Sequence, residues 1–244
     1  PLRHIGIELC AGEVLGIGGV AGNGQDELLS ALSGEVTTAP GTVTLNKVPI
    51  GDKGPNDRRD MGILCAPEER LGHAAAPDMS LVENALLTAR QRKGLAKRGF
   101  VNWGATRGYA EAVIADFDVR TPGPDNAARS LSGGNLQKFV IGREILQDPQ
   151  ILVVNQPTWG VDASAAADIR QAILNLAQKG AGVIVISQDL DELLEISDNF
   201  AALNEGRLSN VRATRDLTME TIGLMLGGAH DMHDLDEEAI HAEA

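Results

Sequence analysis

The sequence has few of the residues that stabilise small secreted domains or that stack on nucleic acid bases. Only two of its 244 residues are cysteines, Cys10 and Cys65, which excludes a disulfide framework or a cysteine-rich zinc site and favours a reducing compartment. Aromatic residues make up 3% of the chain, too few for a base-stacking surface. No apolar run reaches the roughly 18 residues of a membrane span, and no signal peptide opens the chain. We therefore expect any connection to a membrane to pass through a partner.

Net positive charge is also absent. The 34 acidic residues outnumber the 21 Lys and Arg residues, for a formal charge of −13 at pH 7, which argues against nucleic acid or anionic lipid as a main partner. What the chain has instead is Val, Ile, Leu, Ala and Gly, within a hydrophobic content of 43%. This composition predicts one large α/β domain in which helices cover parallel strands.

A Ser-Gly-Gly run opens a helical pattern in the middle of the chain. Residues 131–138, here called the signature run, read Leu-Ser-Gly-Gly-Asn-Leu-Gln-Lys. The apolar spacing that follows predicts a helix with Ser132 as its N-cap and with backbone N–H groups exposed, an arrangement that binds anions. A bare Ser-Gly-Gly is also compatible with a simple cap and a tight turn.

A glycine-rich loop lies between a predicted strand at Val14–Ile17 and a helical run that Gly34 closes. It reads Gly-Val-Ala-Gly-Asn-Gly-Gln-Asp over residues 19–26, with glycines at the outer spacing of the phosphate-binding P-loop G-x-x-x-x-G-K-[ST]. Such glycines let the backbone N–H groups form a nest around phosphates. The side-chain half of the motif is missing, because Gln25 replaces the Lys and Asp26 replaces the Ser or Thr. Alone, the loop could be a turn that packs a helix on a strand.

A third run makes the pattern specific. Residues 151–158 read Ile-Leu-Val-Val-Asn-Gln-Pro-Thr and continue to Asp162. With the glycine-rich loop and the signature run, they resemble the ATP-binding-cassette (ABC) ATPases over residues 1–226. The resemblance implies a P-loop α/β fold with a mainly parallel core sheet, a small antiparallel β subdomain and a helical subdomain that carries the signature.

The resemblance also implies domain bounds and site residues. It predicts a single domain with a core of about residues 1–76 and 130–226, a helical subdomain of about 77–129, and an acidic, disordered tail at 227–244. The implied nucleotide site consists of Gly19, Gly22, Asn23, Gly24, Gln25, Asp26 and Glu68. The implied signature surface, which serves a second cassette, consists of Leu131, Ser132, Gly133, Gly134, Asn135 and Gln137, with Asp162 in the loop at the dimer interface.

Four positions that handle phosphate, metal, water and γ-phosphate in the family carry amides here. They are Gln25, Asn155, Gln156 and Gln188. An amide is a poor magnesium ligand and no general base, so we expect hydrolysis at this chain's own P-loop to be very slow or absent. Asp26 is a possible metal ligand in place of Asn155. ATP is the expected cofactor, and Mg²⁺ at this site is left open.

The signature run and the Pro-Glu-Glu-Arg loop at residues 67–70 resemble most the second cassette of double-cassette ATPases that energise importers of simple sugars and nucleosides. This resemblance implies another cassette, in the same longer chain, as the partner. It also implies transmembrane permease subunits, an external solute-binding protein and a peripheral position on the cytoplasmic face of the membrane. An active transport ATPase with non-standard residues, an ABC protein outside transport, and a scaffold without nucleotide remain open alternatives. The sequence does not identify the transported solute.

Several local patterns give further expectations. Alternating Ile5, Ile7 and Leu9 predict a half-buried strand, and residues 43–50 predict a small antiparallel unit. Residues 51–60 read as a polar loop. The basic link at residues 91–98 is expected to be a solvated face, with a phosphate-binding patch as the alternative.

Overall fold

A computed structural model describes residues 2, 3 and 5–228. The strands are β1 (Val14–Gly18), β2 (Thr44–Leu45), β3 (Val48–Pro49), β4 (Ile63–Ala66), β5 (Ala96–Lys97), β6 (Phe100–Val101), β7 (Ile151–Asn155), β8 (Gly182–Ser187), β9 (Asn199–Asn204), β10 (Arg207–Leu208) and β11 (Arg212–Ala213). The α-helices are α1 (Gln25–Ser33), α2 (Pro55–Asp60), α3 (Leu81–Ala89), α4 (Trp103–Asp116), α5 (Gly133–Ile145), α6 (Ala163–Gln178), α7 (Leu190–Ile196) and α8 (Met219–Gly227). The acidic tail lies outside the described residues from 229 onward.

The main sheet follows the order β10-β9-β1-β8-β7-β4, with β11 also paired to β9. The five strands from β9 to β4 are parallel, whereas β10 and β11 run antiparallel to β9. Helix α1 covers one face, where its Leu28 and Leu29 join Leu15 and Ile17 in a buried cluster. Helices α5 and α6 pack on the other. Because the strands are parallel, the loops after β1, β4, β7 and β8 all emerge at one edge.

The N-terminal segment departs from its predicted strand. Ile5, Ile7 and Leu9 pack against the cluster under α1, but residues 5–10 are extended without a strand assignment. Among residues 2, 3 and 5–10, which the structure describes, Arg3 forms a single β-bridge to Arg207. The alternating pattern correctly indicated a half-buried face, but a strand also needs a hydrogen-bonded neighbour, which this segment does not find among the described residues.

Two segments that were expected to be irregular are ordered. The polar stretch 51–60 ends in α2, which begins at Pro55, a residue suited to the first helical turn. Its Arg58 is fully buried and donates to the carbonyls of Ala31, Leu32, Gly51 and Lys53. The basic link at residues 91–98 begins as turns and ends in the first strand and the turn of the antiparallel hairpin β5–β6. The antiparallel unit predicted at residues 43–50 is present as β2–β3.

A buried polar cluster connects α5 to α3 and to the loop that precedes α3. Arg143 in α5 donates to the carbonyls of Asn84 and Ala74, and its guanidinium pairs with Glu144 at 2.9 Å. Arg59 approaches the same carboxylate at 2.6 Å, and the two arginines hold the pKa of Glu144 below its usual value against the opposing effect of burial. Since α5 begins in the signature run, these contacts fix where that run sits.

None of the described helices has both the length and the apolar character that crossing a bilayer requires.

Candidate functional site

The glycine-rich loop forms a tight connection between β1 and α1. Gly22 and Gly24 have φ values of +85° and +114°, in the region that favours glycine. A Cβ on Gly19 would lie 2.6 Å from the Leu203 carbonyl oxygen, so the loop approaches β9 too closely for a side chain. The turn after β9 supports it from behind, because the Gly206 N–H donates to the Asn23 carbonyl at 2.8 Å. This support was not predicted from the motif itself.

The Gln25 side chain lies inside the loop. Its amide nitrogen donates to the Val20 carbonyl at 2.8 Å, and its Oε1 accepts the Asn23 N–H at 3.0 Å. The residue is only 7% exposed. A glycine-rich loop binds phosphate through its backbone N–H groups, so the Oε1 atom occupies a position suited to a phosphate oxygen. The Gln25 side chain thus occupies one of the backbone N–H donors, that of Asn23, with which the loop could bind an anion.

Asp26 and Asn155 meet across the edge of the sheet. The Asn155 amide nitrogen donates to Asp26 Oδ1 at 3.1 Å, while the buried Asn155 Oδ1 has no hydrogen-bond partner among the described residues. Burial, and then the negative charge of Asp26, raise the pKa of Glu68. The three side chains therefore place oxygen donors and negative charge together where the loops after β1, β4 and β7 converge.

Gln156 turns into the protein rather than toward open space. It is 4% exposed, and its Oε1 accepts from the Gln188 N–H at 3.4 Å and the Ser187 hydroxyl at 3.5 Å. Its φ of +52° is uncommon for a residue with a Cβ. The Gln188 side chain is exposed at the end of β8. Gln156 thus braces the loop after β8 through its amide oxygen.

Glu192 adds a buried carboxylate that the sequence patterns did not single out. It accepts from the Thr158 hydroxyl at 2.7 Å and from the Ser187 hydroxyl at 2.9 Å. Burial raises its pKa, and the two hydroxyl donors oppose that shift. The carboxylate ties α7 to the loop after β7 and to the end of β8.

The signature run presents the N-terminus of α5. Ser132 is the N-cap residue, as predicted, but its hydroxyl caps no backbone N–H and instead accepts from the Asn135 side chain at 2.8 Å. Ser132 and Gly133 are exposed, Gly134 and Asn135 are half-buried, and Gln137 is 1% exposed. The surface end of the run is therefore residues 132–135, and Gln137 belongs to the interior.

Comparison with known proteins places this geometry in a family. The profile of the ABC transporter family matches residues 2–159, which include both the glycine-rich loop and the signature run. The chain belongs to the ABC transporter ATP-binding family. Its solved neighbours have the same fold. A dimeric ATP-binding cassette in a post-hydrolysis state, bound to ADP and phosphate, gives a TM-score of 0.73 at 20% identity, over 88% of this chain and 91% of that one.

The curated relatives are import proteins of about twice this length. The glucose import ATP-binding protein of Haloferax volcanii is 38% identical over 232 residues, which cover 94% of this chain and 42% of the relative. The guanosine import ATP-binding protein of Bacillus subtilis is 36% identical over 93% of this chain and 45% of its own length. The ribose import ATP-binding protein of Rubrobacter xylanophilus is 33% identical, with corresponding shares of 93% and 46%. The cassette thus spans about half of each.

Arg70 connects the loops of this cassette, a role that the sequence did not reveal. Its guanidinium donates to the Trp159 carbonyl oxygen and lies against Gly133, where an added Cβ would stand 2.6 Å from Nη1. An open cleft of about 750 Å³ runs beside it from Asp26 past Glu68 to the start of α5. The Asp162 carboxylate caps α6 by accepting the Ala165 N–H at 2.9 Å. This hydrogen bond lowers the pKa of Asp162.

Proposed function

We propose that this cassette is the C-terminal, hydrolysis-deficient half of the ATPase subunit of a sugar or nucleoside importer. In the arrangement that the family resemblance implies, two cassettes meet head to tail, and each ATP lies between the P-loop of one and the signature of the other. This cassette then serves two unequal sites. It supplies the signature run to the ATP on its partner's P-loop and catalyses little or no hydrolysis at its own.

The main support for this proposal is the Gln25 side chain, which occupies the inside of the glycine-rich loop. A nucleotide at this loop competes with the Gln25 amide for the Asn23 N–H, and no lysine is present there to attract the phosphates. Gln156, at the position of the family's catalytic carboxylate, is turned toward β8 and has no basicity with which to activate water. Nucleotide binding at this site is therefore weak, and the chemical step lacks its base.

The signature run keeps the features that the partner's site needs. The Ser132 hydroxyl is exposed, and because it does not cap the helix, the N–H groups of the first turn of α5 point to the surface without that cap. A helix N-terminus of this kind attracts phosphate through its dipole and its unpaired donors. None of the four amide substitutions touches this end of the cassette.

Magnesium fits the residues present. The exposed Asp26 carboxylate is a hard oxygen donor of the kind that suits Mg²⁺, whereas Asn155 turns its amide nitrogen toward Asp26 and buries its oxygen. A bound ion would neutralise phosphate charge. Asp26 supplies the charge that Asn155 lacks, so the carboxylate has moved from the strand end to the first turn of α1.

The relatives' names support an importer for sugars or nucleosides, since they are described as glucose, guanosine and ribose import proteins. The proposed partners follow from this: a second cassette, membrane permease subunits and, through them, a solute-binding protein, with the cassette at the cytoplasmic face of the membrane. The permease subunits and the solute-binding protein determine which solute is imported.

The test is ATP turnover by the cassette alone and after mixing with a cassette that carries the usual P-loop lysine and catalytic glutamate, each with and without Ser132→Arg. We expect no turnover alone, and partner-dependent turnover that Ser132→Arg abolishes. Thr44→Arg is the matched control, because it adds the same side chain at an exposed position of β2 and should leave turnover intact. Robust turnover by the cassette alone would favour the competing proposal, an active ATPase in which Asp26 restores the metal site.

A further inference from the structure

The hairpin β5–β6, here called the basic hairpin (residues 96–101), lies in a stretch whose charge is opposite to that of the chain. Residues 84–110 contain no Asp or Glu and six cations, whereas the whole chain has a net charge of −13. The cations are Arg90, Arg92, Lys93, Lys97, Arg98 and Arg107. The chain therefore contains a locally basic segment although its net charge is negative.

Half of these cations are engaged within the protein and half are free. Arg92 donates to the carbonyls of Gln147 and Asp148, Lys93 lies 3.6 Å from the Asp148 carboxylate, and Arg107 lies 2.5 Å from Asp125. Arg90, Lys97 and Arg98, by contrast, are exposed. They form no ion pair within the part of the chain that the structure describes.

The tip of the hairpin holds one of these free cations in an unfavourable backbone conformation. Arg98 and Gly99 have φ values of +52° and +85°, as a two-residue hairpin turn requires. Asn-Gly is the usual choice for such a turn, because a longer side chain at the first position is strained. The strain at this position is consistent with a functional role for the exposed positive charge of Arg98, such as binding a negatively charged partner.

Two exposed aromatic residues lie close in sequence to the free cations. Phe100 is 82% exposed and Trp103 is 53% exposed, although the chain has only four Phe and two Trp residues in all. Exposed aromatic residues next to unpaired Lys and Arg residues are the usual composition of a surface that binds the interface of a bilayer. There the rings enter the headgroup layer and the cations meet lipid phosphates.

We propose that the basic hairpin docks the cassette on the anionic phospholipid headgroups of the membrane. The overall negative charge does not prevent this contact, since exposed charges are screened beyond about 8 Å at physiological ionic strength. Lys97, Arg98 and Phe100 of the hairpin, with Arg90 and Trp103 close to it in sequence, make a weak, auxiliary attachment rather than an anchor. The proposal is independent of the nucleotide sites.

The test is flotation of the 244-residue chain with phosphatidylcholine vesicles, with and without phosphatidylglycerol. We expect binding only to the anionic vesicles, weakening as salt is added. Lys97→Gln with Arg98→Gln should weaken binding by about 30-fold, since each cation near such a surface contributes about fivefold. The control is Lys47→Gln with Arg215→Gln, which removes the same charge from exposed positions outside the basic hairpin and should change binding little.

The aromatic part of the proposal has its own readout. Trp159→Phe leaves Trp103 as the only tryptophan, and its fluorescence should shift to the blue on anionic vesicles and not on neutral ones. Phe100→Ser should weaken flotation, whereas Met219→Ser, at a position 65% exposed, should not. Equal binding to neutral vesicles, equal losses in the controls, or binding only to vesicles that contain the permease would overturn the proposal; the last result would identify a protein-docking surface.

Discussion

Replacing Gln25 by alanine tests whether the P-loop is occupied by its own side chain. The substitution removes both hydrogen bonds that the amide makes, to the Val20 carbonyl and from the Asn23 N–H. It leaves the backbone nest in place, because the glycines that shape it are unchanged. A nucleotide phosphate can then accept from the Asn23 N–H without displacing the Gln25 amide, and the Val20 carbonyl at 3.3 Å is the remaining protein acceptor of that N–H.

The expected effect is an increase in ATP affinity. Each intramolecular hydrogen bond contributes a net of about 1 kcal/mol, so a nucleotide that displaces the amide loses about 2 kcal/mol, equivalent to roughly 30-fold in affinity. Gln25→Ala should therefore bind ATP up to about 30-fold more tightly than the wild type. It should also unfold more easily by about 2 kcal/mol. Truncating the lysine of an ordinary P-loop should instead lower ATP affinity, because it removes an attraction to the phosphates.

Titration calorimetry with ATP, at constant salt and Mg²⁺, measures the change directly. Gln171→Ala is the control, since this exposed glutamine bonds only to Asn175 among the described residues and its loss should leave affinity unchanged. Gln25→Lys should bind most tightly, because it combines an empty nest with a cation. Weaker binding by Gln25→Ala would refute the reasoning and make Gln25 a direct phosphate ligand.

Two further predictions concern the loop and the buried carboxylate. Gly19→Ala should lower the free energy of unfolding in urea by about 1–3 kcal/mol through overpacking against Leu203. Gly41→Ala, where an added Cβ meets nothing within 4 Å, should change it by less than about 0.5 kcal/mol; equal effects would disprove the close approach. Burial raises the pKa of Glu192 above its ordinary 4.5, so the unfolded chain loses this proton first, and stability falls as pH rises from the ordinary toward the raised value. As pH rises above about 4.5, Glu192→Gln should therefore lose less stability than the wild type, and a pH-independent difference between the two would contradict this.

The parts of the fold that the sequence predicted are those set by local patterns. The buried strands β1, β7 and β8 follow from short apolar runs before turn residues. Ser80 and Glu83 form a capping box at the start of α3, as a Ser-x-x-Glu spacing before an apolar run indicates. The spacing of the motifs then places their loops at one edge of a parallel sheet, so the meeting of Asp26 and Asn155 could be foreseen.

What the sequence could not predict depends on contacts between distant residues. The alternation at Ile5, Ile7 and Leu9 indicated a buried face but contained no information about a pairing strand. Arg58 looked like a surface cation in a polar loop, although it is buried among four carbonyls. The inward turn of Gln25 depends on the conformation of the loop itself, and its residue type alone was equally compatible with an outward side chain.

The contact between Asp26 and Asn155 limits which pairs of side chains these two positions can carry. Asn155→Asp alone would place a second carboxylate where an amide now donates to Asp26 at 3.1 Å, and two adjacent carboxylates repel each other. Restoring only a hydroxyl at position 26 would leave the edge without its carboxylate. Either single substitution therefore removes the hydrogen bond at this contact. We therefore expect the side chains at positions 26 and 155 to depend on each other, so that a carboxylate at one position is paired with an uncharged side chain at the other.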